Sequence, residues 1–376
     1  MTVGRRVPLL ALALLLASCG EVTRIGATPT PVPTPTPVAA TTLTAASATP
    51  SGRALPEPCR ADVACGVIQN AIDRIDAGKL NDHLIALTSV GSRDPRNPGH
   101  AKAVTYIKEQ LGALAYYGWK IESQRTVYQG IPLENIFATL DLRPLAADVA
   151  PATPVGAGGW ILISAHYDST ANRTVNWRPA TDPAPGADDN ATGTAGLLEF
   201  ARILSTQRLN SLASARVVLA FFDGEELFFK GSGAYMATLP KPYPYKAAIN
   251  LDMVGFNPVA DRLDLLRYTN ASASLCDRVV KANDVYKIGI SPLNAQFAAD
   301  GNTIMDAAPF GVAGIPSIAL CQRYGENDAT FPGNYTFHTV TDTPDKITNK
   351  RLWLKAAKLT LATALQLAEE TDVSAR

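Results

Sequence analysis

The chain has 376 residues, with 34 Lys and Arg balanced by 34 Asp and Glu, so nothing in its charge suggests nucleic-acid binding, which normally shows a basic patch. Five cysteines are present, none in the paired CxxC form, and this argues against a metal site built from thiolates. The length is large for one ordinary domain but not for a single open α/β sheet.

Residues 1–18 carry Arg5 and Arg6 and then run apolar from Val7 to Leu16. That stretch is too short to cross a bilayer as a helix and reads as an export signal. Its close, "LASC" from Leu16 to Cys19, resembles a bacterial lipobox, which implies lipidation of Cys19. The alternative is an ordinary signal peptide with an incidental cysteine. The expected location is the cell envelope, lipid-anchored to the outer face of a bacterial membrane, or secreted if the lipobox is not used. Residues 19–55 contain "TPTPVPTPTPV" and read as a Pro/Thr/Ala-rich tether. Composition shifts at Pro56, so residues 56–376 are expected to form one folded domain. Cys59, Cys65, Cys276 and Cys321 are an even set in an exported chain, and Cys59–Cys65 with Cys276–Cys321 is the preferred of three pairings.

Apolar residues recur at helical spacing from Val67 to Leu80 and from His100 to Leu114, with turn chemistry in "SRDPRNPGH" between them. "NIFATLDL" (Asn135–Leu142) reads as a strand. "GWILISAHYDS" is an apolar run ending in His and Asp, and "GTAGLLEFARILS" is helical. "ARVVLAFFDGEE" is a strand again, "GSGAYMATL" a helix, "KAAINLDMVGF" a strand ending at an acid, and "GIPSIAL" a further short run. Strands alternating with helices predict an α/β fold: a single, mainly parallel or mixed central sheet with helices on both faces.

His166, Asp168, Glu225, Glu226 and Asp252 all lie where an apolar strand runs out, and ligands of open α/β sheets bind beyond such ends. Singly each signal is weak. His166 and Asp168 alternate onto one side of a strand, so the acid can orient the imidazole, but HxD pairs also arise by chance. In "GADDNATG", Asp188, Asp189 and Asn190 are either ligands or N-capping groups. Of the four histidines, His83 and His100 read as structural, whereas His338 lies in a late polar loop. Together the set offers imidazoles and carboxylates without thiolates, which suits a borderline divalent ion such as zinc. A carboxylate bridging two ions would suit water activation for hydrolysis.

"AHYDS", "PGADDNATGTAGLLE", "FFDGEELFFKGS", "NLDMVGF" and "FHTVTDTPDKI", in this order and spacing, resemble the M28 family of zinc aminopeptidases. The resemblance runs from about Val67 to the C-terminus. It implies a zinc exopeptidase-like fold, two zinc ions, peptide substrates and a monomer. It also implies that His166 and Asp252 bind one zinc, Glu226 and His338 the other, and that Asp189 bridges them. Asp168 would orient His166, and Glu225 would be the general base that takes a proton from the metal-activated water and passes it to the leaving amine. Asp223 reads as a turn acid. One departure is "MDAAPF" (Met305–Phe310), where the family often shows "SDHxPF": Asp306 is kept and Ala307 replaces the histidine.

Glutaminyl cyclases share this fold and much of the metal shell, usually with one zinc. "GADDNATG" is the peptidase form of the bridging motif, and Phe337 stands where cyclases carry Trp, without their longer insertion between "GEE" and "GS". A peptidase-like binding protein that has lost catalysis is a third reading, against which all five candidate ligands and the base are present.

Overall fold

Three helices, α1 (Val63–Asp73), α2 (Ala77–Ser89) and α3 (Pro98–Gly112), precede the hairpin of β1 (Lys120–Tyr128) and β2 (Ile131–Asp141). There follow β3 (Trp160–His166), α4 (Thr192–Thr206), β4 (Arg216–Phe222), α5 (Lys230–Thr238) and β5 (Tyr245–Leu251). β6 (Leu263–Arg267), α6 (Ala273–Val285), β7 (Leu293–Phe297), α7 (Ala308–Val312), β8 (Ser317–Cys321) and α8 (Lys350–Glu369) complete the chain. The computed structural model describes residues 59, 62–142, 159–206, 216–297, 305–322 and 334–369. The signal, Cys19 and the tether lie outside these residues.

The strands form one 8-stranded sheet in the order β1-β2-β4-β3-β5-β8-β6-β7. β4, β3, β5 and β8 pair in parallel at its centre, while β1, β2 and the β6–β8 contact bring antiparallel pairing to the flanks. The expected mixed sheet is therefore observed. Alternation along the central strands sends side chains to both faces. Ile161, Ile163, Val217, Leu219 and Phe221 join a large core with α1, α2, α3, α4, α6 and α8. Leu162, Val218, Ala220 and Phe222 join a smaller core with Met236 of α5 and Phe310 of α7. Each fully buried aliphatic or aromatic side chain contributes about 1.5–3 kcal/mol. Among the described residues, no helix is long and apolar enough to cross a membrane.

The helix expected from Val67 to Leu80 is broken in two. Asp76 caps α2, accepting from the N–H of Gly78 and Lys79, while its own N–H donates to buried Glu199 of α4 at 2.7 Å. Arg202 pairs with Glu199 and donates to the Arg74 carbonyl at 2.8 Å, so α4 fixes the break.

One disulfide, Cys59–Cys65, is formed as expected. Cys276–Cys321 is not: both are free and buried. Cys276 packs in the large core from α6, whereas Cys321 at the end of β8 packs on the opposite face with Leu266, Met305 and Ala319. The sheet separates the two thiols.

Candidate metal centre

β3, β4 and β5 run in parallel and end together, delivering His166, Glu225 with Glu226, and Asp252 to one rim. In the β3–β4 register, His166 lies opposite Phe222, the last residue of β4. Asp189 comes from a turn between β3 and α4, where Asp189 and Asn190 leave helical geometry. This turn distributes its three polar residues. Asn190 is the capping group, its Oδ1 accepting from the Gly193 N–H at 2.9 Å, whereas Asp189 faces the histidines. His338 arrives from the loop before α8. All five residues expected to bind metal are thus brought together.

Their polar atoms face one another closely. His166 Nε2 lies 3.1 Å from Asp189 Oδ1 and 3.4 Å from Asp252 Oδ1. His338 Nε2 lies 3.0 Å from Asp189 Oδ2 and 3.0 Å from Glu226 Oε2. The two oxygens of Asp189 therefore address two different imidazoles. Candidate donor atoms of His166, Asp189 and Glu226 lie within 4.8 Å of one another, as do those of His166, Glu225 and Asp252. Glu225 is as near as a ligand, but of the two glutamates only Glu226 pairs with His338.

Buried polar atoms are normally hydrogen-bonded. Yet His166 Nε2 and Glu226 Oε1, both buried, have no hydrogen-bond partner, because neither acid near His166 meets it in hydrogen-bonding geometry. Zinc bonds of about 2.0–2.1 Å in a tetrahedron place donor atoms about 3.3 Å apart, close to the spacing seen here. Donor chemistry, spacing and orphaned atoms all fit a divalent metal.

Asp168 does more than the expected orientation of His166. Its Oδ1 is 3.3 Å and its carbonyl oxygen 3.2 Å from His166 Nδ1. Its carboxylate also accepts the backbone N–H groups of Glu225 and Glu226, each at 3.2 Å. One buried acid thus sets the imidazole and the segment bearing both glutamates.

Sequence reasoning missed a second layer. Buried Asp188 accepts from the Gly255 N–H at 2.9 Å, from Asn334 Nδ2 at 2.6 Å and from Gln322 Nε2. Asp342 accepts the Asp188 N–H at 3.1 Å and the Asp189 N–H at 3.1 Å. Asp342 lies in the same motif as His338, and the Asp188–Asp189 doublet was visible, but only folding shows which groups they hold. Asp223 also differs from expectation. It is more than a turn acid: it is fully buried against His100, with His100 Nε2 at 3.0 Å from each carboxylate oxygen. The structural reading of His100 stands. His83 likewise bonds Tyr106 at 2.7 Å, away from the rim.

Electrostatics follow from packing these acids out of water. Burial raises Glu226 to about 7, with Asp189 adding and His338 opposing. Burial also lifts Asp188 to about 7 despite its three hydrogen bonds. Burial would raise Asp189 too, but the facing imidazoles of His166 and His338 hold it well below the usual carboxylate range. His338 rises to about 11: burial lowers it, and Glu226 and Asp189 more than compensate. Such closely set like charges are costly unless cations join them.

The model of peptidase family M28 matches residues 145–363 of the chain. The uncharacterized protein YfbL of Escherichia coli (strain K12) is 28% identical over 274 residues, covering 67% of this chain and 76% of that protein. Among solved structures, the LapA aminopeptidase of Legionella pneumophila is similar with a TM-score of 0.62 and 19% identity, over 81% of this chain and 74% of that one. A Bacteroides thetaiotaomicron glutaminyl cyclase bound to N-acetylhistamine has a TM-score of 0.58 and 21% identity, over 77% and 98% of the respective chains. At these identities the two structures bear on the fold alone.

Proposed function

Because the chain belongs to peptidase family M28, we propose that it is a zinc-dependent aminopeptidase that hydrolyses N-terminal residues from peptides. The observation that carries this reading is the double facing of Asp189, one oxygen toward His166 and the other toward His338. His166 and Asp252 would hold one zinc, Glu226 and His338 a second, and Asp189 would serve both. Zinc, when bound, supplies Lewis acidity that polarises a carbonyl and makes water a better nucleophile at neutral pH.

The chain's own residues do the rest. The Glu225 carboxylate, half-buried at the edge of the set, accepts a proton from the attacking water and returns it to the nitrogen of the leaving amine. Burial pushes its proton affinity well up, with Asp252, Glu226 and Asp306 adding and His166 opposing. Asp168 keeps Glu225 and His166 in register through its three contacts. Asp168, Asp189, Glu225, Glu226, Asp252 and Asp306 gather at this rim, and such an acidic setting favours a substrate bearing a free ammonium group.

The test offers the purified protein aminoacyl-nitroanilides, their N-acetylated forms and a Gln-aminoacyl substrate. Release from the free amines only, abolished by chelation and regained with zinc, is expected. Equal cleavage of acetylated substrates would overturn the aminopeptidase direction. Cyclised product without free amino acid would replace the reading by a glutaminyl cyclase.

The same reading extends to the N-terminus, on sequence alone. Residues 1–18 act as the export signal, Cys19 carries the lipid, and residues 19–55 hold a monomeric domain away from the membrane surface. A Cys19→Ser variant should move from the membrane fraction to the soluble fraction.

A further inference from the structure

Arg93 is the largest fully buried charged side chain, with no exposed surface. Burying a guanidinium is costly unless it is paired and hydrogen-bonded. Each nitrogen of its guanidinium is bonded: Nε donates to the Tyr167 carbonyl at 2.6 Å, Nη1 to those of Pro185 at 2.5 Å and Leu87 at 3.4 Å, and Nη2 to that of Gly186 at 2.8 Å. All four acceptors are neutral. Among the described residues no carboxylate oxygen lies within ion-pair distance of it.

Two of the acceptor segments are those that deliver metal-binding side chains. Tyr167 directly follows His166, and Pro185 and Gly186 open the turn that presents Asp189. The Arg93 N–H also donates to Ser169 Oγ at 2.9 Å, and Ser169 donates in turn to the Ala184 carbonyl at 2.7 Å. The approach is close enough to require glycine at 186. A Cβ there would lie 2.9 Å from Arg93 Nη2 and 2.6 Å from the Ser169 Cβ, on backbone with φ +53°.

We infer that Arg93 is a positioning residue for the metal centre: its fork ties the segment of His166 to the turn of Asp189, and its charge, unpaired by contact, offsets the carboxylates gathered there. This rests on the zinc-peptidase reading above. Burial lowers the Arg93 pKa to about 10 against the combined pull of Asp342, Asp168, Asp189 and Glu226, so it stays cationic at neutral pH. A neutral residue making the same hydrogen bonds would hold the backbone but leave the acids uncompensated.

Arg93→Lys and Arg93→Gln separate these roles. Both shorten the side chain and reduce the fork to fewer donors, but only Lys keeps the charge. Zinc affinity is measured by competition with a chromophoric chelator, beside melting temperature and the d–d absorption of the cobalt-loaded protein. Arg93→Gln should bind zinc at least about tenfold more weakly than wild type, and Arg93→Lys, which keeps the charge but not the fork, by a smaller factor and with a shifted cobalt spectrum. Equal weakening in both variants, or unchanged affinity in Arg93→Gln, would overturn the inference. If Arg93→Gln does not fold, Arg93→Lys decides: weaker zinc binding with a shifted cobalt spectrum supports the inference, and wild-type affinity with a wild-type spectrum overturns it. Wild-type protein that binds no zinc would instead overturn the underlying metal reading.

Discussion

His100 and His166 are both buried imidazoles facing an acid supplied by another segment, and their surroundings differ in kind. Around His100, the ring nitrogen that faces the acid meets a protein partner. Asp223 accepts from His100 and from the Glu134 N–H at 2.7 Å, and its own N–H donates to Asn135 Oδ1 at 3.0 Å. The ring also stacks on Tyr167 at 5.3 Å. Around His166, Nε2 lies near two carboxylates and bonds neither. A structural pair closes its hydrogen-bonding capacity within the protein, whereas a ligand set keeps it open toward something the chain does not supply. The unbonded ring nitrogen, rather than burial or charge, tells the two apart.

The sharpest test of that difference is Glu225→Gln. Removing the base while leaving the proposed ligands should lower kcat by about 10²–10⁴-fold, with zinc content unchanged by metal analysis. A folded, zinc-loaded variant with wild-type kcat would end the role assigned to Glu225. On the other side, His100→Leu leaves Asp223 buried without its imidazole. It should cost about 3–5 kcal/mol in denaturant unfolding while kcat of the folded protein changes less than about threefold. A large kcat loss without destabilisation would erase the distinction drawn here.

A third test uses pH on a histidine remote from both. Burial, against the pull of Asp82, lowers the pKa of His83 to about 4. In the unfolded chain it takes up a proton near 6.5. Between these values the unfolded chain holds more protons, so this contribution to stability is present above pH 6.5 and is lost as pH falls toward 4. The loss is at most about 3 kcal/mol, and His83→Gln should flatten that part of the stability profile. An unchanged profile would show that His83 titrates normally in the folded protein. The smallest effect is expected from Asp188→Asn, which keeps the shape of the group behind Asp189. Zinc affinity should fall by about 10–100-fold in chelator competition. No change would mean that Asp188 holds the loop without influencing the metal.

The rim was legible because its residues end apolar strands, and strand ends in a parallel sheet converge whatever the loops between them. The doubling of Asp189 onto two histidines followed from family resemblance and from geometry, since nothing in "GADDNATG" alone separates a cap from a ligand. Other features lay beyond local pattern. β1 is an edge strand with mostly exposed or half-exposed side chains, so "KIESQRTVY" lacks the apolar run that marks β3 or β4. The break before α2 depends on Glu199, 123 residues from Asp76. Asp342 reaches Asp188 across 154 residues. Cys276 and Cys321 read as partners only until alternation along β8 put them on opposite faces. In each case the deciding contact spans the sequence, where periodicity carries no information.

The register of β3 against β4 has a consequence for how this enzyme can vary. With His166 fixed opposite Phe222, only Asp223 and Gly224 separate the strand end from two glutamates for which different tasks are proposed. Losing one residue there would move Glu226 into the place of Glu225 and leave Leu227 where a metal ligand should stand, although the sheet itself would still pair. The length of this connection is therefore under tighter constraint than the composition of the strand it follows, and tolerated insertions or deletions should fall elsewhere in the chain.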